Sequence, residues 1–122
     1  VTGVEVSSGA ISSAISAARH AGLSRGAATF IADDATAWAR AQSPEDVPDV
    51  IVVNPPRRGI GADLAAFLNE CSAPRIIYSS CNPASLATDL AAMPSLRPVE
   101  GRLFDMFPHT THAEVALLLE RA

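Results

Sequence analysis

Two short apolar runs, each stopped at a proline-bearing turn, limit what this chain can fold into. Val50-Ile51-Val52-Val53 is followed at once by Asn54-Pro55-Pro56-Arg57-Arg58-Gly59, and Arg75-Ile76-Ile77-Tyr78 by Ser79-Ser80-Cys81-Asn82-Pro83. A run of four β-branched residues reads as a strand covered on both faces. Prolines cannot donate to a strand ladder, so each run must end where it does. Two similar units precede them. Val1-Thr2-Gly3-Val4-Glu5-Val6 and Ala28-Thr29-Phe30-Ile31 read as strands, the second followed by Asp33-Asp34. Helical spacing fills the gaps: Ile11, Ala14, Ile15 and Ala18 predict a helix over Ala10 to Ala21, capped by Ser7 or Ser8 and closed by Gly22. Further helices are expected over Ala35 to Gln42 with Trp38 inward, Ala62 to Cys71, and Ser85 to Ala92. A strand near Val99 to Phe104 and a last one over Val115 to Leu119 complete the chain. Alternation of this kind implies an α/β fold, a mostly parallel sheet with helices on both faces. The last two strands, joined by a loop, form an antiparallel edge pair.

The chemistry-bearing residues fall at strand ends. Glu5, Asp33/Asp34, Asn54-Pro55-Pro56 and Cys81-Asn82-Pro83 all sit where a strand gives way to a turn, and in open α/β sheets such ends line one rim and can share a cleft. An acid after a strand suits a ribose hydroxyl pair. Taken singly, Glu5 is equally a solvated strand end, and Asp33 or Asp34 a helix cap. Cys81 has two readings as well. It is a small residue that packs, or a thiol near the positive end of a helix, where the nucleophilic thiolate is favoured.

Composition narrows the class. With 122 residues, 48% of them hydrophobic, and a mean hydropathy of +0.21, the chain is one domain's worth or less and lies outside the disordered class. The net charge of -4 has the wrong sign for gripping a phosphate backbone unaided. No apolar run reaches membrane length and no signal peptide is legible. Cys71 and Cys81 make no disulfide framework, and no Cys/His cluster suggests a metal, so a cytoplasmic setting is expected. The chain opens on Val1, inside an apolar run, as a piece of a longer protein would. No internal linker or repeat divides it.

Three motifs in order carry a resemblance: Val52-Val53-Asn54-Pro55-Pro56-Arg57-Arg58-Gly59-Ile60-Gly61, Ile76-Ile77-Tyr78-Ser79-Ser80-Cys81-Asn82, and Leu103-Phe104-Asp105-Met106-Phe107-Pro108-His109-Thr110-Thr111-His112-Ala113-Glu114. Together they resemble the S-adenosylmethionine-dependent RNA uracil-5-methyltransferases, closest to the branch that methylates a uridine of 23S ribosomal RNA. The resemblance implies a class I, Rossmann-like methyltransferase sheet, here the C-terminal part of the catalytic domain over residues 1–122. It implies S-adenosyl-L-methionine as methyl donor, S-adenosyl-L-homocysteine as product, and RNA as partner. By it, Cys81 is the nucleophile that adds to uracil C6, and Glu114, 33 positions later (114 − 81), is the base that removes the C5 proton. Glu5 matches the acid for the cofactor ribose, Asp34 the position flanking the adenine, and Asn54 the motif residue beside cofactor and base. Many relatives carry Asp where Asn54 stands; an amide both donates and accepts, whereas a carboxylate only accepts. Arg57 and Arg58 could meet RNA phosphates, and His109 and His112 belong to the substrate loop or to its structure.

Two other readings stand beside this one. Asn54-Pro55-Pro56 is similar to the short motif of methyltransferases acting on exocyclic amines, but there an aromatic follows to stack on the flipped base, and here Arg57 follows. The chain could also be a non-catalytic folding or association module. No GxGxxG turn occurs in it, so the first strand and cofactor loop expected of such a sheet are missing. Little or no turnover by the isolated piece is therefore expected, and self-association is one way to fill the missing strand.

Overall fold

The computed structural model describes all residues from Val1 to Ala122. They form two compact units, residues 1–42 and 43–122. In the first, β1 (Thr2–Glu5) runs parallel to β2 (Thr29–Ala32) in register Thr2↔Thr29 to Glu5↔Ala32, joined by α1 (Ser8–His20). Ser7 caps α1 by accepting from the Ala10 N–H. At the other end Gly22, at φ 73°, closes the helix as a Schellman turn: its N–H reaches the Arg19 carbonyl, and the Leu23 N–H reaches that of Ala18. Helix α2 (Ala35–Arg40) follows, with Trp38 half-buried.

The second unit opens with a 3-10 turn at Pro44–Asp46 and holds four strands in the order β3-β4-β6-β5. These are β3 (Val50–Val53), β4 (Arg75–Ser80), β5 (Leu96–Phe104) and β6 (Glu114–Arg121), with α3 (Ala62–Glu70) and α4 (Pro83–Ala91) as crossovers around β4. β3 and β4 are parallel, whereas β6 lies between β4 and β5 and is antiparallel to both. The expectation of one mostly parallel sheet gives way to two sheets, the larger of them mixed. α3 and α4 bury Ala65, Leu68 and Leu86 against Ile76, Tyr78 and Leu119, with Met93 and Leu96 closing the cluster. Each fully buried large apolar side chain contributes on the order of 1.5–3 kcal/mol.

The opposite face of that sheet is open to solvent within these 122 residues. Val50 and Val52 are 41% and 66% exposed, and Ile77 is 37% exposed, so within this chain only one face of β3 is packed. Its alternation shows only in burial, because β-branched residues occupy both sides. No helix is long and apolar enough to cross a membrane.

Candidate active site

The turn after β4 is built to hold one conformation. Ser80, almost fully buried, accepts from the Asn82 N–H at 3.0 Å and donates to the Asn82 carbonyl at 3.0 Å, bracketing Cys81 on both sides. Asn82 then caps α4, its Oδ1 accepting from the Ala84 N–H at 3.1 Å, and Pro83 takes the first helical position, where no N–H is needed. Cys81, half-buried, stands immediately before the cap.

Glu114 is brought to this turn by strand register. The β4–β6 ladder ends at Ser80 paired with Val115, with Cys81 one place beyond it on one strand and Glu114 one place before it on the other. Ser79 pairs with Ala116 and reaches diagonally to Glu114, donating its hydroxyl to Oε1 at 2.6 Å. Diagonal neighbours on one face of a sheet are within reach of long side chains. Two residues 33 positions apart in sequence (114 − 81) thus both adjoin the last pair of one ladder.

The loop after β3 is fastened from two directions. Val53 pairs with Tyr78, and Asn54, exposed, leaves the strand there. Further along, the Arg57 carbonyl accepts from Asn82 Nδ2 at 2.9 Å, tying this loop to the turn that carries Cys81. Asp89 of α4 makes the second fastening: its Oδ2 accepts from the Tyr78 hydroxyl at 2.5 Å and from the Ile60 N–H at 2.9 Å. Tyr78 is fully buried and Asp89 is 6% exposed. Burial, and then the hydrogen bond and charge of Asp89, push the Tyr78 phenol far above its ordinary value, with the Ile60 backbone pulling weakly the other way. Gly59, at φ 87°, lets the chain pass against this carboxylate; a Cβ there would stand 2.3 Å from Asp89 Oδ2. Arg57 and Arg58 themselves point no further than an exposed loop.

His109 and His112 lie in the exposed loop between β5 and β6. His109 adopts φ 64°, while Thr110 donates to the Phe107 carbonyl at 2.7 Å and accepts from the His112 N–H at 3.1 Å. Phe107 and His112 meet edge to face, centroids 6.5 Å apart. In the other unit Glu5 and Asp34 sit at the same end of the β1–β2 pair, where the Asp33 N–H reaches the Glu5 carbonyl. Glu5 Oε1 accepts from the Ser7 N–H at 2.9 Å. Asp34 caps α2, accepting from the Ala37 N–H at 2.8 Å, so the helix-cap reading describes what one of its oxygens does. No group of three or more His, Cys, Asp and Glu side chains is placed to hold a metal ion.

Sequence reasoning missed Ser79, Tyr78, Gly59 and Asp89. Asp89 alone left a signal, a carboxylate one place before Leu90 and three after Leu86 on the apolar side of its helix. Buried carboxylates need partners.

Residues 46–122 match the family model described as tRNA (Uracil-5-)-methyltransferase. A 23S rRNA (uracil(747)-C(5))-methyltransferase, RlmC, of Edwardsiella ictaluri is 48% identical over 122 residues, covering 100% of this chain and 31% of that protein. The tRNA (uracil-54, C5)-methyltransferase of Pyrococcus abyssi, solved with S-adenosyl-L-homocysteine, superposes with a TM-score of 0.81 at 32% identity, over 98% of this chain and 28% of that one. The magnesium protoporphyrin IX methyltransferase of Synechocystis shares the fold alone, with a TM-score of 0.72 at 12% identity. The chain spans about a third of the length of the curated relatives it matches.

Proposed function

The chain belongs to the tRNA (uracil-5-)-methyltransferase family, and from that membership we propose that it is the C-terminal part of a catalytic domain, residues 1–122, that methylates C5 of a uridine in RNA, with 23S ribosomal RNA as the substrate its similar relatives point to. The observation that supports the reading is the end of the β4–β6 ladder, where the last pair, Ser80 and Val115, is flanked by a thiol on one strand and a carboxylate on the other.

Uracil C5 is a poor carbon nucleophile. In the proposed sequence Cys81 Sγ, as thiolate, forms a bond to C6, and the electron pair of the C5–C6 double bond moves to make C5 enolate-like. C5 would then bond to the methyl carbon of the sulfonium donor, whose methyl–sulfur bond breaks to leave S-adenosyl-L-homocysteine. Glu114 accepts the C5 proton, the electrons of that C–H bond restore the C5–C6 double bond, and the C6–S bond breaks to return the Cys81 thiolate. One hard step is split into two easier ones, and a positioned base contributes typically about 10²–10⁴-fold. Arg57 and Arg58 are assigned to the RNA backbone, and His109 and His112 to the substrate loop.

S-adenosyl-L-methionine supplies the methyl group when bound. Residues in the first unit suit it chemically. Glu5 is an exposed carboxylate at a strand end, its Oε1 oriented by the Ser7 N–H, and carboxylate acceptors there suit a ribose hydroxyl pair. Asp34 would flank the adenine, and Asn54 would stand beside cofactor and base. We assign the first strand and glycine-rich loop to the part of the relatives' length outside these 122 residues, and expect little or no turnover from the chain alone. β3 ends the four-strand order, an edge of the kind another strand extends, so self-association of the isolated chain is part of the same reading.

Exocyclic-amine methylation is not favoured, since the family match and the similar relatives both speak for C5 chemistry. Product analysis tests the choice. Full-length protein should convert labelled S-adenosyl-L-methionine and unmodified 23S ribosomal RNA into 5-methyluridine, and Cys81→Ala should abolish it. An N-methylated base, or full activity in Cys81→Ala, would refute the reading.

A further inference from the structure

We propose that Ser79 is a positioning residue for the proton-abstraction step: its hydroxyl fixes Glu114 so that one carboxylate oxygen is spent on the protein and the other faces the adduct on Cys81. This rests on the reading of Cys81 and Glu114 given above and goes beyond it by separating the two half-reactions.

The geometry has three parts. Ser79 Oγ donates to Glu114 Oε1 at 2.6 Å, the length of a charge-assisted bond. Ser79 is half-buried, and its backbone is held by pairing with Ala116 of β6 and by its place between the buried Tyr78 and Ser80. Glu114 is the first residue of β6, paired to Phe104 but preceded by the loop 105–113. A glutamate at the start of a strand has three side-chain torsions to fix and little chain behind it to fix them. The Ser79 bond supplies that restraint. It holds Oε1, which leaves Oε2 to take the C5 proton. No other contact in the ladder does this, because Ala116 opposite Ser79 has no polar group.

The two half-reactions respond differently to its loss. Formation of the Cys81–C6 bond and methylation do not use Glu114. Removal of the C5 proton and return of the thiolate do. Ser79→Ala should therefore slow release without slowing adduct formation. A hydrogen bond to a charged group, when lost, is typically worth a factor of about ten to a hundred.

The experiment uses full-length protein, unmodified 23S ribosomal RNA and tritiated S-adenosyl-L-methionine under single-turnover conditions, reading the methylated covalent protein–RNA complex and free methylated RNA separately. Ser79→Ala should form the complex at close to the wild-type rate, release RNA at least tenfold more slowly, and so accumulate the complex. Ser79→Thr, which keeps the hydroxyl, should restore release. Release at the wild-type rate by Ser79→Ala would overturn the proposal. So would an equal loss in formation and release, which marks general disruption rather than positioning. Glu114→Gln separates this from the underlying assignment. If it accumulates the complex while Ser79→Ala does not, only the Ser79 role fails; if it turns over normally, the base assignment fails and the Ser79 role with it.

Discussion

Gly59→Ala probes the fastening of the loop after β3 more sharply than any change at the reacting residues. Two costs can be worked from the coordinates. The first is backbone: at φ 87° an L-residue costs roughly 1–2 kcal/mol. The second is contact. The new methyl would lie 2.3 Å from Asp89 Oδ2, 3.0 Å from Cγ and 3.1 Å from Oδ1, closer than real contacts allow. The carboxylate must move, and it is held by the Tyr78 hydroxyl and the Ile60 N–H. Giving up one bond to a buried charged acceptor costs about 1.5–3 kcal/mol. The sum is about 2.5–5 kcal/mol, a large part of a domain's stability. In an Asp89→Ala background the contact vanishes and only the backbone cost, about 1–2 kcal/mol, should remain. Urea unfolding of the four proteins of this cycle, followed by far-ultraviolet circular dichroism at neutral pH, measures both. An equal cost for Gly59→Ala in the two backgrounds would refute the claim that Asp89 makes this position glycine-only.

Two further outcomes follow from the same loop and turn. The Tyr78 phenol is raised far above its ordinary 10.0, so folded protein keeps its proton where unfolded chain loses it. Stability should be unaffected by this group below about pH 10 and fall as pH rises from there toward the raised value; Tyr78→Phe should lose that alkaline slope, as pH-dependent thermal melting would show. Asn82→Asp keeps the acceptor that caps α4 but removes the Nδ2 donor to the Arg57 carbonyl. Melting temperature should stay close to wild type while amide exchange rises through residues 54–61, and unchanged exchange there would contradict the tether.

Much of the second unit was legible because each strand ends on residues that cannot continue it. The prolines after Val53 and the capping Asn82-Pro83 fix two strand ends and one helix start by local chemistry alone. Helix α4 begins at Pro83 rather than Ser85, since proline suits a first helical position as well as it suits a turn. Strand β5 begins at Leu96 rather than Val99 for a related reason. Pro98 reads as a loop residue, but β5 is an end strand with a register shift between Pro98 and Glu100, and edges and bulges are where a ladder accepts proline. Which face of β3 packs against α3 and α4 was not legible, because Val50 to Val53 would look the same whichever face was buried. That Cys81 and Glu114 adjoin the last pair of one ladder was not legible from local pattern. Register between strands this far apart in sequence is set by the pairing of whole strands, and no local pattern encodes it. Ser79 and Asp89 escaped for the same reason: each acts through a partner supplied by another element.

The most direct measurement of the central claim is covalent trapping. Uracil that carries fluorine at C5 cannot give up a proton there, so full-length protein incubated with S-adenosyl-L-methionine and RNA bearing 5-fluorouridine at the target position should stop at the methylated adduct. Mass spectrometry of the digested complex should then find the modified nucleotide on the peptide containing Cys81, and Cys81→Ala should give no complex. An adduct on another residue, or an undiminished complex in Cys81→Ala, would contradict the account.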